Sequence, residues 1–217
     1  GDSDELVVWT DVNGVMTTDP RVDKRARVLP YVSYQEVGEL AFYGAKVLHP
    51  KTVQPILNKR IPLRVRSTFN PSHLGTLIGP DSEPSTTVVK AVTAVRNVAL
   101  LTVSGRGMMG VPGIAGRTFL ATANVGANIL MISQASSEQN FCFVVTDDRA
   151  DYAKQSIERE LAGDIERGDV DSVNVMAEVA ILTAVGAGMA GTTGVAGRVF
   201  TTMGDAGVNG ISSAQGA

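Results

Sequence analysis

Positions 98–110 read VALLTVSGRGMMG, and positions 179–191 repeat them as VAILTAVGAGMAG. The similarity extends without a gap to residues 133–135 in the first copy and 214–216 in the second, so equivalent residues lie 81 positions apart. Similarity at a fixed spacing indicates one supersecondary unit that is used twice. This duplication determines the fold class of the larger part of the chain.

Each copy is predicted to open with a strand, at residues 98–103 or 179–185, followed by a glycine-rich turn. A helix is expected at about residues 113–125 or 194–206, and a second strand after residues 126–128 or 207–209. In the first copy, the apolar run at 141–145 and an amphipathic helix at 152–161 complete a βαββα pattern, which is the outline of a ferredoxin-like fold. The second copy stops at Ala217, so we expect the chain to be a fragment.

The first 80 residues follow a different pattern. Residues 6–9 predict a short buried strand, and residues 61–66, which alternate apolar and basic side chains, predict a half-exposed one. Ser33 and Glu36 form a capping box, so a helix is expected from Ser33 to about Ala45, with a second from Pro50 to about Arg60. These elements are typical of part of an α/β layer structure. Breaker residues between 71 and 87 indicate a linker.

Composition excludes several classes of function. The net charge is −3 and Lys and Arg form no cluster, which argues against a nucleic-acid partner. No apolar run approaches the roughly 20 residues of a membrane span. The single Cys142, expected to be buried by its apolar neighbours, forms no internal disulfide, and the cytoplasm is the expected compartment. His49 and His73 have no further His or Cys at metal-ligand spacing, so no metal site is predicted.

The glycine-rich turns match the dinucleotide fingerprint, with Gly105, Gly107 and Gly110 in the first copy. A Rossmann unit also needs an acidic residue about 20 positions further on, and neither copy has one. The spacing of the copies leaves no room for a doubly wound sheet. What the motif still predicts is a strand leading through glycines into a helix N-terminus, whose backbone amides can hold an anion such as a carboxylate.

Three further motifs carry a specific resemblance over nearly the whole chain: WTDVNGVMTTDPR at 9–21, FYGAKVLHP at 42–50, and RVRSTFNP at 64–71 with Gly75-Thr76. They resemble the aspartate kinases, and the duplicated unit resembles the two ACT domains of that family. The turn Gly107–Gly110 and the segment 133–138 look closer to the threonine-sensitive or bifunctional aspartokinase–homoserine dehydrogenase type. The implied domains are the C-terminal part of an amino-acid-kinase α/β sandwich at 1–80, a linker at 81–90, a first ACT domain at 91–168 and an incomplete second one at 169–217.

The resemblance implies transfer of the γ-phosphoryl group of ATP, with Mg²⁺, to the β-carboxylate of L-aspartate, a reaction that depends on positioning and on charge neutralisation. By the family pattern the nucleotide-binding residues are Thr10, Asp11, Arg21 and Lys46. The alternatives are a turn-forming Asp11 and solvated cations at Arg21 and Lys46. The family's Lys-Phe-Gly-Gly segment, with its catalytic lysine, does not occur in this sequence, so the isolated chain is expected to have no kinase activity and no catalytic residue is assigned.

The resemblance also implies an effector amino acid bound between two ACT domains, usually across a homodimer, with threonine the first choice and lysine the second. The effector-binding residues carried over are Met108, Gly113, Ile114, Ala115, Asn128, Ile129 and Gln134, with Asn209 and Gln215 as second-copy equivalents. Alternatives are core roles for Met108 and Ile114 and a turn role for Asn128. An alternative function for the chain is a regulatory module that binds an amino acid and dimerises without catalysis.

Overall fold

The computed structural model describes residues 3–43, 48, 56, 58–80, 87–134, 139–189 and 191–215. Its strands are β1 Leu6–Thr10, β2 Tyr31–Ser33, β3 Leu63–Ser67, β4 Thr76–Gly79, β5 Ala91–Ser104, β6 Met131–Gln134, β7 Asn140–Thr146 and β8 Ser172–Val185. Its α-helices are α1 Tyr34–Phe42, α2 Ile114–Asn124, α3 Asp147–Glu160, α4 Ala162–Arg167 and α5 Val195–Asp205. We call residues 105–108 the first glycine turn and residues 186–189 the second glycine turn. No helix in the described ranges is long and apolar enough to cross a lipid bilayer.

The first sheet has the strand order β1-β3-β4-β2. β1 runs parallel to β3, β3 runs antiparallel to β4, and β4 runs parallel to β2. The half-exposed strand predicted near residues 61–66 is confirmed as β3, in which Leu63 and Val65 are fully buried while Arg64 and Arg66 stay partly exposed. Successive side chains point to opposite faces of a strand, which explains this alternation.

The predicted capping box begins α1. The Ser33 hydroxyl accepts the N–H of Glu36 at 3.1 Å, and the Glu36 carboxylate accepts the N–H of Ser33 at 2.9 Å. Two amides that the helix itself leaves without a partner are thereby satisfied. The helix ends at Phe42 rather than Ala45, and the helix predicted from Pro50 to Arg60 lies largely outside the described residues.

The prediction that residues 6–9 are buried is wrong. β1 forms, but Leu6, Val7 and Trp9 expose 40%, 38% and 48% of their surface. Within the described part of the first sheet, β1 is an edge strand that pairs only with β3. An apolar run indicates a strand, but it does not show whether the strand has neighbouring strands on both sides.

The second sheet has the strand order β6-β7-β5-β8. β7 runs antiparallel to both β5 and β6. Leu101, Val103, Phe141 and Phe143 alternate along β5 and β7 and are buried in one core with residues of α2 and α3. The order strand, helix, two strands, helix confirms the ferredoxin-like βαββα pattern of the first copy. Cys142 lies between two core phenylalanines on the other face, so it is half-buried and not buried as predicted.

The second copy follows the first only in part. β8, the second glycine turn and α5 are present, but residues 208–215 form no strand, which corrects the prediction of one after residue 209. In the first copy β6 is held by pairing with β7, whereas residues 208–215 have no such partner strand among the described residues. They lie instead against the sheet of the first copy, where Ser212 contacts Cys142 and Ser213 contacts Ser133.

The chain forms two compact units, each made of two stretches: Gly1–Val95 with Leu182–Gly207, and Arg96–Ile181 with Val208–Ala217. The boundaries fall within β5 and β8, close to Asn97 and Glu178. Both residues have φ angles of 57°, in the left-handed region that non-glycine residues rarely adopt. Asn97 and Glu178 are repeat equivalents, so this local conformation repeats with the sequence. The boundaries expected at 80, 90 and 168 remain predictions about domains.

Candidate functional site

Thr10 and Asp11 lie where β1 ends, beside the end of the parallel strand β3. Thr68, which directly follows β3, donates its N–H and its hydroxyl to the Thr10 carbonyl at 2.9 and 3.1 Å. The Thr10 hydroxyl donates to the Asp11 carboxylate at 3.0 Å. The carboxyl ends of parallel strands are where open α/β sheets bind ligands, so these two predicted nucleotide-binding residues lie at a suitable edge.

The loop after Asp11 is fixed by Thr76. The buried Thr76 hydroxyl accepts the N–H of Val15 at 2.8 Å and donates to the carbonyl of Leu29 at 2.7 Å. Gly14 has a φ of 144°, and a Cβ at this position would lie 2.4 Å from the Thr76 hydroxyl oxygen. Thr76 is not among the predicted site residues, although Gly75-Thr76 is one of the motifs that carry the resemblance.

Arg21 is held in a fixed orientation at the surface. Its guanidinium donates to both carboxylate oxygens of Asp19, at 2.7 to 3.2 Å, and its N–H donates to the same carboxylate at 2.8 Å. These hydrogen bonds and the charge of Asp19 raise the pKa of Arg21. Asp23 and Arg25 repeat the same arrangement four residues later. The Arg21 guanidinium is bound to Asp19 and not to Thr10 or Asp11, and Lys46 lies outside the described residues.

Four predicted effector residues surround the start of α2. Gly113 caps the helix with a φ of 87° and, having no side chain, makes no side-chain hydrogen bond to the first-turn amides. Such a helix end carries partial positive charge that favours an anion. Met108 and Ile114 are buried in the core, as their alternative roles predict, and Ala115 is half-buried against the same core.

The remaining first-copy residues lie at two ends of β7. Gln134 pairs with Phe141 at the start of β7, and the first glycine turn lies at this end because Ser104 pairs with Asn140. Asn128 and Ile129 lie toward the other end, since the adjacent Leu130 donates its N–H to the carbonyl of Val144. One copy therefore does not bring all of the predicted effector residues together. Their second-copy equivalents, Asn209 and Gln215, are exposed.

A buried ion pair in the first compact unit joins two residues that the sequence analysis did not assign to a site. Lys90 donates to the Glu36 carboxylate at 3.0 Å, and the two side chains are 7% and 3% exposed. The N–H of Ala187 donates to the same carboxylate at 2.8 Å. Burial alone would raise the pKa of Glu36, but the hydrogen bonds from Ser33, Ala187 and Lys90 and the Lys90 charge outweigh it, so this pKa lies below its ordinary value.

A second buried carboxylate lies in the second compact unit. Asp164 accepts two hydrogen bonds from the Arg117 guanidinium, at 2.7 and 2.9 Å, and one from Arg167 at 2.8 Å. The Arg117 hydrogen bonds lower the pKa of Asp164; burial opposes them, and the charges of both arginines add to the lowering. This cluster ties α4 to α2. In the described parts of the chain no three His, Cys, Asp or Glu residues form a group that could hold a metal ion.

Comparison with known proteins identifies both parts of the chain. The Amino acid kinase family matches residues 2–67, and the ACT domain matches residues 101–161 and 182–217. The chain is 38% identical over 209 residues to the bifunctional aspartokinase/homoserine dehydrogenase of Haemophilus influenzae, covering 96% of this chain and 26% of that protein. The chain thus spans about a quarter of the length of this curated relative.

Solved structures give the same relationship. The aspartate kinase of Clostridium acetobutylicum has a TM-score of 0.88 at 26% identity, covering 99% of this chain and 49% of that chain. E. coli aspartokinase III in complex with aspartate and ADP (R-state) has a TM-score of 0.76 at 28% identity, covering 93% of this chain and 44% of that chain. The same E. coli enzyme in complex with lysine and aspartate (T-state) has a TM-score of 0.67 at 28% identity, covering 85% of this chain and 40% of that chain. Because an amino acid kinase segment is followed by ACT segments, and aspartokinases match it in sequence and in structure, the chain belongs to the aspartate kinase family.

Proposed function

We propose that this chain is part of an aspartate kinase that phosphorylates the β-carboxylate of L-aspartate with ATP and is controlled by an amino acid bound at its ACT repeats. The observation that carries the kinase half is the meeting of Thr10, Asp11 and Thr68 at the carboxyl ends of two parallel strands. The E. coli relative, with aspartate and ADP bound, supports the same substrates for this chain.

In this proposal Thr10, Asp11, Arg21 and Lys46 hold the nucleotide. Arg21 offers a planar guanidinium and Lys46 a point charge to phosphate oxygens. Mg²⁺ is usually held by phosphate oxygens, waters and one or two carboxylates, and Asp11 is the carboxylate available at the end of β1. Since the family's Lys-Phe-Gly-Gly segment does not occur in the sequence, we propose that the 217 residues alone bind ligands without catalysing phosphoryl transfer.

We propose threonine as the effector, with lysine the second choice. The first turn of α2, whose N-cap residue Gly113 has no side chain, is suited to the effector carboxylate, and Asn128 and Gln134 offer oxygens to its ammonium or hydroxyl group. Because Asn128 and Gln134 lie toward opposite ends of β7, a complete site needs a second ACT surface, which supports assembly of a homodimer through the ACT segments. Asn209 and Gln215 are the equivalent ligands of the second copy.

The second candidate is a regulatory module that binds an amino acid and dimerises but has no role in catalysis. The observation that favours it is the completeness of the βαββα unit in the first copy, which has its own buried core. This candidate and the first differ in nucleotide binding, because a purely regulatory module has no use for residues 9–21.

Calorimetric titration of threonine and of lysine into the purified chain, with its mass in solution recorded, tests the regulatory half. We expect saturable threonine binding to a dimer, and loss of binding in Gln134→Ala. Gln155→Ala, an exposed position on α3, is the control and should bind normally. Absence of binding by both amino acids, or binding by a monomer that Gln134→Ala does not weaken, would contradict the proposal.

A further inference from the structure

The two glycine turns each receive a carboxylate at the same position. In the first turn, the N–H of Arg106 donates to Asp171 at 3.2 Å. In the second, the N–H of Ala187, which is 81 positions later, donates to Glu36 at 2.8 Å. The same backbone amide is therefore satisfied in both copies, but the acidic residue comes from a different place in the sequence.

The residues directly before β5 and β8 are also equivalent, and each lies beside one of the two turns. Asp171 donates its N–H to the carbonyl of Ser104 at 2.7 Å, and Lys90, 81 positions earlier, donates its N–H to the carbonyl of Val185 at 2.8 Å. Asp171 can supply the carboxylate for the first turn itself. Lysine has no acceptor atom, so at the second turn Lys90 instead holds the carboxylate of Glu36, which begins α1.

The arrangement around Glu36 leaves little room for independent movement. Glu36 accepts hydrogen bonds from Ser33, Lys90 and Ala187, and an acidic group this buried is costly to leave without its partners. A Cβ at Gly186 would lie 2.2 Å from the Val88 carbonyl oxygen, so the turn packs directly on the backbone that leads into β5. Displacing this turn must therefore displace Lys90, Glu36 or both.

We propose that Glu36, held by Lys90, is the positioning residue that couples the second glycine turn to α1 of the kinase segment, so that a change in the second ACT repeat reaches the nucleotide-side sheet through this carboxylate. The first glycine turn takes its carboxylate from Asp171 instead. The coupling itself follows from the contacts alone, and its use in feedback control rests on the proposed function.

Amide hydrogen exchange on the full 217-residue chain tests the coupling without any ligand. Gly186→Ala should displace the second turn and speed exchange in residues 34–42 by about tenfold, the effect of losing one hydrogen bond to a charged group. Gly105→Ala is the matched control, since its Cβ would lie 2.2 Å from the Asp169 carbonyl oxygen. It should speed exchange near the first turn and leave residues 34–42 unchanged. Equal effects of both variants on residues 34–42, or no effect of Gly186→Ala there, would overturn the proposal.

A double-mutant cycle separates coupling from general destabilisation. Glu36→Gln should speed exchange around Ala187 and remove most of the effect of Gly186→Ala on α1, whereas Glu36→Asp, which keeps the carboxylate, should restore part of it. Additive effects of Glu36→Gln and Gly186→Ala would contradict a coupling role. If Glu36→Gln does not fold, the comparison of Gly186→Ala with Gly105→Ala still shows whether the second turn is coupled to α1.

A threonine titration followed by the same exchange measurement distinguishes this proposal from the proposed function. Protection that spreads from the second turn to residues 34–42 in the wild type but not in Glu36→Gln supports both. Threonine binding that changes residues 34–42 equally in the two proteins would contradict the coupling alone. Absence of any threonine effect, with the Gly186→Ala result intact, would contradict the proposed effector and leave the coupling established.

Discussion

The hydroxyl of Thr76 and the N–H of Val15 are joined by a 2.8 Å hydrogen bond that spans 61 positions of the chain. The same hydroxyl donates to Leu29, so one buried side chain joins β4 to the loop after β1 and to the segment before β2. This loop carries Asp11 and Arg21, two of the residues proposed to bind the nucleotide, and its conformation therefore depends on Thr76.

Thr76→Val should lower the free energy of unfolding by about 1–3 kcal/mol, because it leaves the buried N–H of Val15 and the carbonyl of Leu29 without their partner. Urea unfolding measures the change. Thr76→Ser keeps the hydroxyl and should recover most of the loss. A valine variant as stable as the wild type would show that the hydrogen bonds of Thr76 are not needed to hold the loop.

The proposed role of Arg21 has an internal control in Arg25, because each arginine is held by an aspartate two residues before it. Arg21→Ala should weaken ADP binding to the full chain by roughly tenfold, as expected for a lost charge-assisted hydrogen bond to phosphate. Arg25→Ala should leave binding unchanged. Fluorescence titration with a labelled ADP analogue measures the affinity of both variants. Equal losses of affinity would show that Arg21 acts only as a general surface charge.

Stability should fall in acid because Glu36 and Asp164 have lowered pKa values in the folded chain. Their contribution is fully present above the unfolded values near 4, and it is lost as the pH falls through the lower folded values. Urea unfolding between pH 7 and pH 3 should show this loss, with a shallower slope in Glu36→Gln and in Asp164→Asn. Val37→Ala, a core change, should lower stability by a similar amount at every pH. Unchanged slopes in both carboxylate variants would contradict the assignment.

Phe119 and Phe200 occupy equivalent positions in the two repeats but have different environments. Phe119 packs edge-on against Phe141 and Phe143, each with a ring distance of 5.7 Å, whereas Phe200 is 49% exposed. Phe119→Ala should cost about 3–5 kcal/mol, as for other large core truncations. Phe200→Ala should change stability by less than about 1 kcal/mol. Thermal and urea unfolding measure the loss of stability in both variants. Similar losses would mean that Phe200 is buried in solution.

Two glycines at the start of α2 should respond in opposite ways to alanine. Gly113 has a φ of 87°, so Gly113→Ala should lower the free energy of unfolding by about 1–2 kcal/mol. It should also weaken the binding of any ligand at the start of the helix. Gly116 lies within the helix, and a Cβ there meets nothing within 4 Å, so Gly116→Ala should stabilise by about 0.5–1 kcal/mol. Calorimetric melting of the two variants provides the check. A stabilised Gly113→Ala would contradict the left-handed cap.

Several features could be predicted from the sequence because they depend on residues only a few positions apart. The alternation at residues 61–66 correctly predicted that Leu63 and Val65 are buried, and the Ser33–Glu36 spacing located the start of α1. The repeat predicted two similar units, and the similarity extends to the φ angles of Asn97 and Glu178. The same repeat, read at position 90, shows lysine where the second copy has aspartate, a difference that could have directed attention to Lys90.

The sequence by itself determined the βαββα order of the first repeat, the start of α1 and the family, because helix caps, strand alternation and motifs are local properties. Only the tertiary structure decided that β1 is an edge strand, that residues 208–215 form no strand, and that Asn128 and Gln134 lie toward opposite ends of β7. It also brought Glu36 to an amide 151 positions away. These outcomes depend on which strands find partners and which donors surround a buried charge, and long-range packing sets both.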